Sequence, residues 1–257
     1  MSLQLNEPRI EYKEFFGRYN QQMPRLISDG RTPMSVADIM RRRLEVANST
    51  PDVRAAWLDN FFDTSDGIAY HPSGKVKVVL DAVPLRKITP QNALPNGALS
   101  IDAATYTSLP GKEIRSATLT TGTPLAKRAA MNSPIWNALA RDDKALLREY
   151  TNLVFADAKQ RFGYERNMGI YLSTTPETPA LRAWVVDRIN SRSVLYGNSD
   201  LDNNDGRLVG VAREAPARTT ARRRRIDRYR PDVDGASLTT RNQLGKYHSI
   251  VLNDRDH

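Results

Sequence analysis

The sequence predicts an α+β fold: an N-terminal helical layer, a β-hairpin, then a mixed α/β C-terminal body carrying an Arg-rich arm. Three observations predict it. Apolar residues recur at helical spacing over the first ~65 positions and switch to alternation near residue 67. Helix and strand patterns then mix irregularly instead of in a βαβ rhythm, which favours α+β over a doubly wound sheet. Finally, the charge is concentrated in one segment near the C-terminus.

The elements follow in order. Ile10, Tyr12, Phe15, Phe16, Tyr19 and Met23 are spaced for one face of a first helix. Ser35-Val36-Ala37-Asp38 supplies an N-cap and an acidic first turn for a second helix, with Val36, Ile39, Met40, Leu44 and Ala47 on its apolar stripe. Thr50-Pro51-Asp52 starts a third, carrying Val53, Trp57 and Phe61. Gly67–His71 and Lys75–Leu80 flank Pro72-Ser73-Gly74, and Lys75-Val76-Lys77-Val78 alternates strictly, so this reads as a hairpin with one wet face. Residues 81–124 are rich in turn formers and read as loops with short strands at Ala98–Ile101 and Ser116–Thr120. Ser133-Pro134 opens a helix, and a longer one runs from about Asp142 to Phe162, closed by Gly163. Met168–Ser173 reads as a strand. Thr178-Pro179 reads as the cap of a helix holding Ala183, Trp184, Val186 and Ile189. Ser193–Tyr196, Arg207–Val211 and Tyr247–Leu252 read as further strands. The expected regions are 1–65 helical, 66–124 hairpin and loop-rich β, 125–212 α+β body, and 213–257 the arm with a strand-like end.

Composition narrows the function classes. The 257 residues carry 38 Lys plus Arg against 29 Asp plus Glu, a formal charge of +9. From Arg213 to Arg230 eight Arg face one Glu and one Asp, which is +6 in 18 residues and leaves +3 for the rest. A hydrophobic fraction of 40% supports a core. The absence of cysteine excludes disulfide scaffolds, thiol nucleophiles and Cys-type zinc sites. No apolar run reaches the ~18–20 residues of a membrane span, and Met1–Arg18 lacks a signal-peptide core. The expectation is therefore no membrane partner and no export by a standard signal, hence an intracellular location or one inside a virion or particle.

The arm carries the sharpest functional signal. Arg218, Arg222, Arg223, Arg224, Arg225, Arg228 and Arg230 repel one another unless a polyanion or an acidic protein surface neutralises them. The guanidinium fork suits phosphate, and Tyr229 can stack on an exposed base. Arg41 and Arg42 face away from the second helix's apolar stripe and join the candidate contact set. Arg43 falls inside the stripe, so it must snorkel, pair with a carboxylate or sit at an interface.

Asp200, Asp202 and Asp205 alternate in an acidic loop and are weak candidates for a cation site. The EF-hand pattern fails there, because positions six and twelve from Asp200 hold Asp205 and Val211. Asp59, Asp63 and Asp66 read as a helix-end and turn cluster, and Trp57, Trp136 and Trp184 as core anchors. His71, His248 and His257 form no HxxH pair. Neither a P-loop, a G-x-G-x-x-G fingerprint nor a G-x-S-x-G elbow is present, and no catalytic residue or cofactor is assigned.

The stretch Arg188–Val211, ending Asp205-Gly206-Arg207-Leu208-Val209, resembles the closing segment of C-type-lectin-like domains of the formylglycine-generating type. The resemblance covers 24 residues and implies the fold alone, since that family's catalytic cysteines have no counterpart here. These readings favour a non-enzymatic binding protein over an enzyme. The alternatives are an assembly subunit of a particle or virion, possible as a homo-oligomer, and an enzyme with a dispersed site near residues 200–205.

Overall fold

The computed structural model describes residues 12–115, 119, 121–189 and 195–212. In chain order the elements are β1 (Tyr12–Phe16), α1 (Tyr19–Ser28), β2 (Arg31–Pro33), α2 (Val36–Glu45), α3 (Pro51–Leu58), β3 (Phe62–Tyr70) and β4 (Lys75–Val79). There follow α4 (Val83–Arg86), β5 (Leu99–Ser100), α5 (Ala103–Ser108), β6 (Lys112–Arg115), β7 (Leu125–Ala126), α6 (Lys127–Met131), α7 (Pro134–Leu139) and α8 (Lys144–Phe162). Last come β8 (Arg166–Asn167), β9 (Ile170–Tyr171), β10 (Ala180–Val186), β11 (Leu195–Tyr196) and β12 (Arg207–Ala212). Helices beside a mixed sheet make this an α+β protein.

The sheet runs β1-β12-β3-β10-β11-β9, with β2 on β12, β4 and then β6 on β3, and β5 on β10. The β12–β3 and β11–β9 pairs are parallel. β1 lies antiparallel to β12, from Tyr12 opposite Val211 to Phe16 opposite Arg207, so the first and last described strands are neighbours.

Strand alternation feeds two cores, one on each face of this sheet. Ile68, Tyr70, Val76, Val78, Trp184, Val186 and Val209 face one core with α2, α3, α7 and α8. Their neighbours Ala69, Val79, Leu181, Ala183 and Leu208 face the other, with α1, α4 and α5. β3 and β10 are consequently buried at every position. The hairpin expected at residues 67–80 does form, from Gly67 opposite Val79 to Tyr70 opposite Val76. Its wet face does not exist, because helices cover both sides.

Capping chemistry sets the helix starts. The Ser35 side chain accepts from the Asp38 N–H while the Asp38 carboxylate accepts from the Ser35 N–H, a closed capping box on α2. The Asp143 carboxylate accepts from the N–H groups of Ala145 and Leu146 at the head of α8. Gly163, at φ 72°, ends α8 in the left-handed conformation that favours glycine. Lys77 projects from β4 and donates to the carbonyls of Tyr106 (2.8 Å) and Leu109 (3.0 Å), neutralising the C-terminal end of α5.

Four expectations are corrected. The apolar stripe from residue 10 is not one helix: Tyr12–Phe16 is a strand, Gly17 turns at φ 124°, and α1 begins at Tyr19. Pairing with β12, nearly 200 positions away, overrides the local period. The helix expected after Thr178 is strand β10, since a strand buried on both faces reads as a continuous apolar run. Asp63 and Asp66 are not turn residues but buried members of β3. The strand expected over Met168–Ser173 shortens to Ile170–Tyr171 because Met168 has φ 51°. Ser116–Thr120 falls, except for Leu119, outside the described residues. The expected strand Tyr247–Leu252 lies outside them entirely.

Candidate functional site

Arg43 is fully buried, and it meets its need for partners without a carboxylate. Nε donates to the Trp57 carbonyl (2.9 Å), Nη1 to the Tyr150 hydroxyl (2.8 Å), and Nη2 to the carbonyls of Asn60 (2.9 Å) and Asp187 (2.8 Å). Neither snorkelling nor a salt bridge describes it: the guanidinium bolts α2 to the end of α3, to α8 and to the exit of β10. Trp57, Trp136 and Trp184 are buried as expected of core anchors, with the Trp136 indole donating to the Met168 carbonyl at 2.9 Å.

Arg41 pairs with Asp38 and Arg42 with Glu45, each at 3.2 Å. The Arg42 guanidinium also lies over the rings of Tyr12 (4.6 Å) and Trp57 (5.3 Å), so its side chain covers apolar surface. The arm residues Arg218, Arg222–Arg225, Arg228, Tyr229 and Arg230 lie outside the described residues.

The acidic loop is fastened at both ends. Asp200 accepts from Arg182 (2.6 Å), Asn204 accepts from Arg18 (2.8 Å), and the Gly17 N–H donates to the Gly206 carbonyl (2.8 Å). Gly197 opens the loop against the Trp184 indole, where a Cβ would meet ring carbon Cζ3 at 2.8 Å. Asp200 and Asp205 line a cavity of about 200 Å³ together with Asp63 and Asp187, whereas Asp202 is not among its walls. Burial pushes the Asp63 carboxyl up to about 6, against the lowering effect of the Arg207 and Asp63 N–H groups. Asp187 is raised by burial too, opposed by the Arg188 N–H and the charges of Arg188 and Arg43. Among the described residues no three His, Cys, Asp or Glu side chains gather as a metal-holding group. Asp63 instead spends an oxygen on the Arg207 N–H, tying β3 to β12.

Nearby, Arg207 pairs with Glu14 at 2.8 Å and lies 5.5 Å from the Phe61 ring centre. Burial raises the Glu14 carboxyl, and Arg207 offsets part of that rise. Arg182, with its side chain only 8% exposed, is occupied by the carbonyls of Asn96, Asn198 and Ser199 besides Asp200. These groups hold loops to the sheet.

A larger concavity lies elsewhere. A cleft of about 750 Å³ opens between β4–β6 and the α6–α8 layer. Val78, Leu80, Met131 and Leu147 contribute its apolar walls. Lys112 on β6, Lys144 in the first turn of α8 and Arg148 one turn later bring three exposed cations to it. None of the three has an ion pair among the described residues, while Asp142 is the acid that shares the lining. The α8 head's own N–H groups are already satisfied by Asp143, so side chains supply the cleft's positive charge. The Asn137 amide fixes the cleft wall by donating to the carbonyls of Met131 (3.1 Å) and Ser133 (2.8 Å).

Sequence reasoning missed this site. Lys144 and Arg148 stand four apart on a legible helix, but Lys112 belongs to a strand read as loop.

No family model matches the chain, and no curated protein matches it. A solved chain described as accommodation of massive sequence variation in Nanoarchaeota by the C-type lectin fold is similar in structure. Its TM-score is 0.59 at 17% identity, and the match covers 80% of this chain and 100% of that one. The likeness is one of fold, in the direction implied by the resemblance of Arg188–Val211. Among the described residues no helix is long and apolar enough to cross a membrane.

Proposed function

We propose that the protein is a non-enzymatic binding protein that contacts a polyanion, nucleic acid or an acidic partner, through its Arg-rich segment 213–230. The observation that carries this reading is the segregation of charge, +6 in those 18 residues against +3 in the remaining chain. Such a segment is electrostatically unsatisfied alone and gains counterion release on binding. The wiring of the acids supports a binding role over catalysis: the buried Asp63 and Asp66 accept backbone N–H groups, and the exposed Asp200 is paired with Arg182. The Nanoarchaeota chain is a case of this fold accommodating massive sequence variation, and a fold of such latitude leaves function to the side chains displayed on it. The test is binding of duplex DNA of scrambled sequence across a salt series. Affinity falls steeply with salt, and replacing Arg222–Arg225 by Gln flattens the slope; a salt-insensitive affinity overturns the reading.

An assembly subunit of a particle or virion is the second reading, favoured by exposed aromatic residues at the end of α8. Phe162 (39%) and Tyr164 (45%) lie exposed with ring centres 6.1 Å apart. Light scattering at high concentration tests it: a species larger than the 28.9 kDa chain supports assembly, and a monomer with or without nucleic acid opposes it.

A further inference from the structure

We propose that the cleft between β4–β6 and α6–α8 is a docking site for an acidic peptide segment bearing aliphatic side chains, separate from the Arg-rich segment. Its size of about 750 Å³ falls within the ~300–1,000 Å³ usual for ligand sites. The chemistry of the lining selects the ligand. Val78, Leu80, Met131 and Leu147 are aliphatic or thioether groups, and water over them is released when an apolar side chain replaces it. Met131 adapts to more than one shape. Lys112, Lys144 and Arg148 stand on two different elements around these walls, and against Asp142 they leave the lining at +2. Opposite charge in the ligand is therefore required, and on more than one side.

Two further features narrow the class to peptide. Among the described residues no aromatic ring lines the cleft, so they offer no platform on which a nucleobase would stack. Asn132 is exposed in the lining and brings an amide that can both donate to and accept from a peptide group. The walls are preformed, since Asn137 locks the α6–α7 corner and Asp143 locks the head of α8. Little ordering energy is lost on docking.

The test uses the full chain and a fluorescent decapeptide alternating Glu and Leu, with three comparison probes: Glu alternating with Ser, Lys alternating with Leu, and a single-stranded oligothymidylate. The Glu–Leu peptide binds, and the Glu–Ser and Lys–Leu peptides bind at least about tenfold more weakly. The double substitution Lys144→Glu with Arg148→Glu weakens the Glu–Leu peptide by about tenfold or more and leaves the thermal midpoint unchanged, because both side chains are exposed. Lys112→Glu alone, on the opposite wall, weakens it several-fold. Replacing Arg222–Arg225 by Gln leaves peptide binding intact. That last result separates this proposal from the one on the arm: if peptide binding is lost with the arm substitutions and kept with the cleft substitutions, the cleft proposal is overturned and the arm reading gains. Equal binding of the Glu–Ser peptide, displacement of the peptide by oligothymidylate, or no peptide binding at millimolar concentration also overturns it.

Discussion

Replacing Arg43 by Met keeps most of the side-chain volume and removes four hydrogen bonds at once. The guanidinium reaches carbonyls at Trp57, Asn60 and Asp187 and the hydroxyl of Tyr150, all within 2.9 Å. Trp57 lies in the last turn of α3, where carbonyls lack partners within the helix. Asn60 and Asp187 lie outside the regular elements. A hydrogen bond from a charged donor contributes about 1.5–3 kcal/mol, so the gross loss is large. Removal of a buried charge offsets part of it, because several kcal/mol of desolvation disappear with the guanidinium. The three carbonyls and the hydroxyl left without a donor are neutral and cost about 1–3 kcal/mol each before relaxation, so after that offset a net cost of about 3–5 kcal/mol is expected. That is a large share of the ~5–15 kcal/mol typical of a folded chain. Urea unfolding followed by tryptophan fluorescence reads it as a midpoint lowered by about 1–2 M at unchanged slope. Two companions locate the effect. Tyr150→Phe removes one acceptor from the charged donor and costs about 1.5–3 kcal/mol. Arg43→Lys retains the charge but not the fork, and falls between the two. A loss below about 1 kcal/mol for Arg43→Met, or a Lys variant as stable as the parent, refutes the reasoning.

Burial raises both Asp63 and Asp66 to about 6, above their unfolded values, so the folded protein takes up protons that the unfolded chain does not. Stability therefore increases as pH falls from 7 to 5, by about 1 kcal/mol for each group, and the gain is lost again as pH rises through 6. Asp63→Asn removes its own share, about 1 kcal/mol, of this rise in urea midpoints measured across that range; a parent midpoint that falls on acidification to pH 5 contradicts the assignment. Gly197→Ala drives a methyl into the Trp184 indole and costs about 1–3 kcal/mol, seen as a lowered thermal midpoint, with Gly163→Ala as a strained comparison facing open space.

What was legible in the sequence is what is decided locally. Ser35 with Asp38, and Asp143 with Gly163, announce α2 and α8 because their caps lie within one turn of the helix ends. Pro72-Ser73-Gly74 announces the β3–β4 turn for the same reason. β1 and β10 were not legible, because their partners sit far along the chain: Tyr12 opposite Val211, and Leu181 opposite Ala69. The double-sided burial of β3 followed from helices that the local pattern cannot place. Among site residues, Arg43 was recognisable as an anomaly in the apolar stripe, yet three of its four acceptors are backbone carbonyls, which carry no sequence signature. The acidic loop was visible as Asp200, Asp202 and Asp205, but the sheet turns Asp200 toward Arg182. The cationic cleft was hidden because its third cation, Lys112, arrives on a four-residue edge strand amid turn formers.

The central claim is that the charge of residues 213–230 is the contact surface. The most direct measurement compares the full chain with its Arg222–Arg225→Gln counterpart for affinity to scrambled duplex DNA between 50 and 200 mM salt. The expected slope of log affinity against log salt is steep for the parent and shallower for the variant, by about 0.9 for each phosphate that the variant no longer neutralises. Equal slopes in the two proteins would contradict the claim.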